Sequence, residues 1–490
     1  MTIHEADTQV RQTEFRKELG LRNLVMCQIL NIVGLYWVGT AAKLGPSHVA
    51  FWLLAIALFY LPSAAVVTYL NRLHTLEGGL YEWTRLGFNE FAGFLVAWNL
   101  WLNMVVNLSY AGIQSSTMLS YVLGPRMAWI AQSKWVMGGT TLAVLGSLAA
   151  VAIIGLGLGK WIQDVGAVVM VLVFAALIAL PFHNHAAGRH TEYPPFTLSL
   201  PAITLFSLNL LGKMSFGALS GFDSAAILAG ECRDATKAIG RSVAIATPII
   251  AAMFVLGTSS VVALVPLDKI DLVSPISQAL SMGTRPGDAG ASLIPLAISV
   301  LLFAFLASQA LTLASVARLP LVVGWDKLLP DWFGRLHAAR KTPVNSILFV
   351  AAVSLVIAIL GIAGAGQQEA FQLLQNASLI LYALTYLAMF ALPLAGRQRK
   401  MVRPAPWLRT AAVSGFVMTA LFLVLSLFPI IDVPKPLEFT AKVGGFTLVC
   451  QLIAVGLYYG CRRGSRAFVS AQVKAPDAEI DAVVSGAPIA

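Results

Sequence analysis

Twelve times along this chain of 490 residues, about twenty mostly apolar residues run together. A helix needs roughly that many to cross the hydrocarbon of a bilayer, so the chain reads as a polytopic membrane protein. The runs lie at about 23–42, 49–70, 91–119, 135–157, 161–181, 202–230, 241–265, 291–323, 344–362, 370–394, 408–430 and 441–460. Composition excludes the soluble alternatives. Only 11% of residues are charged and 58% are hydrophobic, whereas a soluble domain carries about 25% charged residues. A water-facing surface cannot be built from so few charges, so a soluble enzyme, a nucleic-acid binder and a disordered chain are all excluded.

The net charge of +10 records topology. With the first segment in the cytosol, 24 of the 33 Lys and Arg fall in cytosolic segments, 8 fall on the opposite side, and Lys213 alone lies inside a run. Basic residues mark cytosolic loops, so both termini are expected in the cytosol, with a bacterial cytoplasmic membrane as the expected location. The basic residues are spread over many loops and form no patch for a nucleic acid. The polar first 20 residues hold no cleavable signal, so the first run is expected to stay as a span. Cys27, Cys232, Cys450 and Cys461 have no metal-ligand spacing, and no disulfide framework is expected.

Two runs are interrupted at mid-span. Run 1 reads NLVMCQILNIVGLYWVGTAA, with Asn31, Ile32, Val33 and Gly34 at its middle. Run 6 carries Phe216 and then Gly217, Ala218, Leu219, Ser220 and Gly221. Irregular backbone at membrane depth survives only where it is buried in protein or lines a cavity. Interrupted spans at matching places in two halves point to a transporter's binding site; the alternative is glycine serving close helix packing. Runs 1 and 6 are five apart, as in a 5+5 inverted repeat. The expected organisation is a cytosolic segment 1–22, a first five-helix repeat 23–181, a second 202–394, two accessory helices in 408–460 and a cytosolic tail 461–490. Polar stripes at helical period add to the pathway: Asn99, Asn103 and Asn107 with Tyr110 and Gln114 in run 3, Ser308, Gln309, Thr312 and Ser315 in run 8, and Gln372, Gln375, Asn376 and Tyr382 in run 10. Interhelical hydrogen bonding would account for each stripe taken alone.

These residues resemble the amino acid–polyamine–organocation (APC) superfamily of secondary transporters over about residues 20–460. The strongest likeness follows run 8, where Arg318 leads to GWDKLLPDWFGRLH and KTPVNS, ending at Ser346. EGGLYEW (Glu77 to Trp83) is similar to a second family signature, and GALSGFDSAAILAGECRD followed by IGRSV is similar to a third. The resemblance implies an all-α membrane fold with twelve transmembrane helices, broken helices 1 and 6, and a central site for an amino acid or related amine. The chain departs from the family where relatives place a Lys in helix 5, since Met170 stands there. It departs again at Gly217, where some relatives place a gating aromatic beside the position of Phe216.

The site chemistry follows from the breaks. A half-helix beginning near Val33 offers unpaired N–H groups and the positive end of its dipole to a carboxylate. The carbonyl ends near Leu30 and near Phe216 to Ala218 suit an ammonium. Asn31, Ile32, Val33, Gly34, Phe216, Gly217, Ala218, Ser220, Gly221, Asn103 and Asn107 are the expected substrate-binding residues. Asp223 and Lys213 are the ionisable groups left in the core, and such groups are costly and usually functional. With Ser308, Thr312 and Ser315 they form the expected proton or coupling set; pairing of Lys213 with Asp223, or helix capping by Asp223, is the structural alternative. The expectation is alternating access with a proton, or with exchange, as the driving step and sodium as the less favoured coupling ion. No cofactor, metal or nucleic-acid partner is expected, nor an enzyme: HxHxxxxH at His183, His185 and His190 lies on a loop, GLGLGK (Gly155 to Lys160) is not a phosphate loop, and HExxH and GxSxG are absent. A facilitative pathway for small solutes and a transporter-derived sensor are the competing functions. The substrate side chain and the oligomeric state are not legible.

Overall fold

Among the described residues, ten helices are long and apolar enough to cross a membrane. The described parts of runs 1 and 6, the interrupted ones, form none of them. A computed structural model describes the chain backbone at residues 21–73, 79–154, 159–189, 192, 199, 202–221, 235–285, 288, 290–322, 331–335, 337, 342–395 and 404–484. Among these residues all regular structure is helical. Run 1 gives α1 (Leu21–Ile32) and α2 (Trp37–Ala42), separated by four non-helical residues. The membrane-length helices that follow are α3 (Gly45–Asn71), α5 (Glu90–Leu123), α6 (Lys134–Ile154), α7 (Val165–Ala186), α9 (Arg241–Leu264), α11 (Ala291–Pro320), α12 (Val344–Ile362), α13 (Gln367–Ala395), α14 (Pro406–Leu425) and the first part of α15, Pro436–Gly460. The protein is a multi-pass integral membrane protein. Two short amphipathic helices, α4 (Gly79–Gly87) and α10 (Pro275–Met282), lie between spans, and run 6 supplies α8 (Leu205–Gly212). Helix α15 continues to Val484, through the segment expected as a tail. The chain divides into two compact units, residues 1–444 and 445–490, and the site lies in the first.

Apolar side chains on these helices gain nothing by leaving lipid for one another, so polar contacts and close packing position the spans. Many hydroxyls satisfy the preceding turn of their own helix, as Ser115 does at Ala111 O and Thr117 at Ile113 O. Others cross between helices. Gln28 of α1 donates to Ser242 of α9 at 2.9 Å, Trp52 of α3 to Thr258 of α9 at 3.0 Å, and Ser378 of α13 to both the carbonyl and the side-chain oxygen of Asn103 in α5. Each such bond contributes about 0.6–1 kcal/mol in a membrane. The stripe in run 3 therefore serves in part as interhelical glue.

Several of the loops between spans meet at one end of the first unit. Lys43 donates to Leu267 O at 3.3 Å, Ser47 and Ser199 share a hydrogen bond, and Asn184 donates to Gly283 O at 2.8 Å. Arg189 clasps Asp288 with two hydrogen bonds, at 2.6 and 2.7 Å. That bidentate pair straps the end of α7 to the segment entering α11, and the guanidinium pushes the Asp288 carboxyl down to about 2. A carboxyl held below its ordinary value stabilises the fold above that ordinary value, near 4, and loses the effect as pH falls toward 2. Asp288→Asn is expected to lower the melting temperature in detergent equally from neutral pH down to about 4, and the difference should shrink only below that. A difference that instead grows on acidification contradicts the strap.

Candidate functional site at the two interrupted helices

The break in run 1 begins where α1 ends. Val33 N–H still reaches Ile29 O, but Gly34 N–H turns back to Ile32 O at 2.8 Å, and α2 restarts with Trp37 N–H on Gly34 O. Among the described residues the amides of Leu35 and Tyr36 find no backbone acceptor. They stand just before α2, where a helix offers free donors and positive potential. The Asn31 side chain lies outside the described residues.

The break in run 6 has a different build. Beyond α8, residues Lys213–Ala218 form a π-helical turn, wider than an α turn by one residue. The chain then leaves the helix at Leu219, with Ser220 N–H on Phe216 O and Gly221 N–H donated to the Tyr386 hydroxyl of α13 at 2.9 Å. Gly221 has φ +127°, which a residue with a Cβ adopts only under strain. A second π turn at Ile56–Tyr60 of α3 packs against the first through Phe59 and Phe216, 5.7 Å apart. Widening leaves a carbonyl in need of a donor, and Ser414 of α14 donates to Leu58 O at 2.6 Å.

One indole joins the breaks. Trp37, 3% exposed, lies against both interrupting glycines. A Cβ on Gly34 would lie 2.6 Å from Trp37 Cδ1, and a Cβ on Gly217 would run into Cη2 and Cζ2 of the same ring. A Cβ on Gly221 would approach Ile32, the last residue of α1, at 3.2 Å. Of the expected substrate residues, the structure therefore brings Ile32, Gly34, Phe216, Gly217 and Gly221 together, with Val33, Ala218 and Ser220 on the same two breaks. Trp37 itself was not among the expected residues; its adjacency to a mid-span glycine was the available signal.

Beside Trp37 stands an aromatic layer of which sequence reading found only Tyr110. Tyr36 packs edge-on to Phe371 of α13 at 5.3 Å and to Tyr110 of α5 at 6.5 Å, and Tyr110 meets Phe371 at 5.2 Å. Asn107 donates to the Tyr110 hydroxyl, so it supports this layer, whereas Asn103 is engaged by Ser378. Tyr110 is also where α5 changes direction, with φ −93° and ψ 0°. Gln375 of α13 hydrogen-bonds to the Tyr36 hydroxyl, and Gln372 keeps a buried amide nitrogen without a partner among the described residues.

Of the coupling set, Lys213, Ser308, Thr312 and Ser315 fall among the described residues. Lys213 hydrogen-bonds to Asn376 of α13 and faces Phe422 of α14. Asp223 lies outside the described residues, as does His190. Ser315 is exposed, Ser308 and Thr312 are half-buried, and the Thr312 hydroxyl is spent on Ser308 O. Helix α14, expected as accessory, packs into the break: Phe216 and Phe422 are 4.8 Å apart, and a Cβ on Gly212 would lie 3.1 Å from the Phe422 Cα. An apolar cavity of about 370 Å³ between α7 and α9, lined by residues such as Phe174, Pro248 and Met253, is not lined by break residues.

Helix α10 caps the opposite end of α2. A Cβ on Gly39 would lie 2.6 Å from the Pro275 side chain. Asp271 orders this cap: its carboxylate accepts from Val273 N–H, Ser274 N–H and the Tyr121 hydroxyl. Burial is the stronger influence and pushes the Asp271 carboxyl above its ordinary range. A raised carboxyl stabilises the fold in its protonated form, and the contribution is lost as pH rises from about 4 through the raised value.

Two variants test this geometry. Gly217→Ala is expected to displace Trp37, costing about 1–3 kcal/mol of stability by overpacking and abolishing ligand-induced stabilisation, read by thermal shift. Asp271→Asn is expected to melt at or above the wild-type temperature at neutral pH, with the gap closing toward pH 4; a gap that widens on acidification contradicts the burial argument.

A model of the amino acid permease family matches residues 19–458. An uncharacterized transporter of Legionella pneumophila is 24% identical over 396 residues, covering 79% of this chain and 83% of its own length. The probable agmatine/putrescine antiporter AguD of Lactococcus lactis is 22% identical over 426 residues, 84% of this chain and 87% of that one. The branched-chain amino acid permease BcaP of the same species is 25% identical over 478 residues, 93% and 95% of the two chains. With a match across nearly its whole length, the chain belongs to the amino acid permease family of the APC superfamily.

Proposed function

We propose that this protein is a twelve-span secondary transporter that moves an amino acid or related amine by alternating access, with proton coupling or exchange. Residues 23–181 and 202–394 are read as the inverted five-helix repeats, 408–460 as the last two spans, and 1–22 and 461–490 as cytosolic ends in a bacterial cytoplasmic membrane. The observation that carries the reading is the meeting of two mid-membrane backbone interruptions on one indole, since irregular backbone at that depth is tolerated only in a protein-lined interior. The α-carboxylate is assigned to the free amides before α2, and the α-ammonium to the carbonyl ends of α1 and of the π turn. Val33, Gly34, Gly217, Ala218 and Ser220 supply backbone, and Tyr36, Tyr110 and Phe371 close the site on one side. Asp223 is assigned to proton coupling, and Lys213 to substrate binding or coupling. The relatives named for a diamine antiporter and a branched-chain amino acid permease support the breadth of this substrate class.

A thermal-shift screen of amino acids and amines on the purified protein is expected to find a stabilising ligand. A ligand at a hundred times its Kd adds about 2.7 kcal/mol to the folded state. The same compound should enter proteoliposomes saturably and faster with an imposed proton gradient, and Asp223→Asn should flatten the pH dependence of uptake. A stabilising ligand with no flux identifies a sensor, unsaturable flux without counterflow identifies a facilitative pathway, and no ligand at all overturns the reading.

A further inference from the structure

A second polar cluster fills the space between α8, α13 and the turn that follows α14. Lys213, 3% exposed, donates to Asn376 Oδ1 at 2.6 Å, and its Nζ stands 6.0 Å from the centroid of the Phe422 ring, a distance at which an aromatic face attracts a cation. Asn376 passes the contact on by donating to Ser426 O at 2.9 Å. One turn before Lys213, Asn209 donates to Phe428 O at 3.3 Å; one turn before Asn376, Gln372 accepts from Ile430 N–H at 3.5 Å. These bonds fix the amide orientations, because a flip would set oxygen against a carbonyl or nitrogen against an N–H.

The remaining groups do not balance. A lysine has three N–H donors, and one is used. The Gln372 amide nitrogen and the Ser426 hydroxyl are buried without a partner among the described residues; Asn209 Oδ1 is an unpartnered acceptor, and the hydroxyl can accept as well as donate. No carboxylate among the described residues faces Lys213. The cluster thus holds more donors than acceptors around Lys213, and each buried donor left unpaired is destabilising. An acceptor-only group of charge −1 complements that arrangement, and charge-assisted hydrogen bonds are the stronger kind. We propose that Asn209, Lys213, Gln372, Asn376 and Ser426 form a binding site for a monovalent anionic group, a carboxylate or a halide, beside the site at the breaks. The carboxylate has a source in the side chain of a transported acidic amino acid, and that arm alone rests on the transporter reading; the halide is a free ion. Either way an ammonium held at Lys213 by the bound anion places acidic and neutral amino acids ahead of diamines.

The test uses the full-length protein in detergent. Melting temperatures are measured against sodium chloride with sodium methanesulfonate at matched ionic strength as control, and against L-glutamate with L-glutamine as control. The expected result is a saturable rise with chloride, which assigns the free ion, or with L-glutamate and not L-glutamine, which assigns the substrate side chain. Lys213→Gln should abolish the rise. Ser426→Ala removes one hydroxyl and keeps the carbonyl that Asn376 uses, so it should raise the half-saturating concentration about fivefold, as expected for a hydrogen bond of ~1 kcal/mol. The proposal is overturned if neither chloride nor L-glutamate exceeds its control, or if Lys213→Gln retains the saturable rise. Should Lys213→Gln fail to fold, an unchanged half-saturating concentration in Ser426→Ala overturns it. A protein that binds chloride but moves no amino acid or amine would refute the transporter reading and leave this site standing.

Discussion

A peptide group without a hydrogen-bond partner costs several kcal/mol in hydrocarbon, and everything distinctive in this protein turns on how two spans escape that cost. Each interrupts its helix, and each interruption is packed against the other. The contact is the Trp37 indole, seated where neither Gly34 nor Gly217 carries a Cβ. A methyl group at either place would push the ring out and separate the breaks. The π turn on the run 6 side lets the chain loosen before it breaks, and Tyr386 receives the freed amide of Gly221.

Around that contact the polar residues of the spans divide by what they touch. Gln28, Trp52, Asn103 and Ser378 bond across helices, and most buried hydroxyls bond to their own helix, which makes a rigid frame in a solvent that supplies no hydrophobic drive. Asn107, Gln372, Gln375 and Lys213 instead surround the breaks or the cluster beside them. Among the described residues Gln372 retains an unmatched donor, and in the frame Gln28 retains an unmatched acceptor. Unmatched buried polarity is unusual in a folded protein and marks places where a ligand, ion or water completes the bonding. Helix α14 belongs to this inner group. Its Ser414 satisfies the π turn of α3, its Phe422 packs on Phe216, and the turn after it receives Asn209 and Asn376.

Half of the candidate site was legible in the sequence. Glycines interrupting a run of apolar residues are visible because nothing else in such a run weakens a helix, and Gly34, Gly217 and Gly221 were found that way. Tyr36 and Phe371 of the closing layer were not, because an aromatic residue in a membrane helix looks the same whether it faces lipid, a neighbour or a ligand. Lys213 and Asp223 stood out together as the core's ionisable pair. Yet Lys213 spends its hydrogen bond on Asn376, a residue 163 positions away, and no rule of local spacing predicts such a pair.

By itself, the sequence determined that the chain is a helical membrane protein, where its long spans lie, and which two runs carry mid-span interruptions. Those properties follow from length, hydropathy and glycine placement, all of which are local. Only the tertiary structure decided that the two breaks meet at Trp37, that α10 seals the end of α2 through Asp271, and that α14 lies against the site and not outside it. Contacts between spans depend on which face each helix presents, and in a chain apolar on nearly every face the sequence carries little record of that choice.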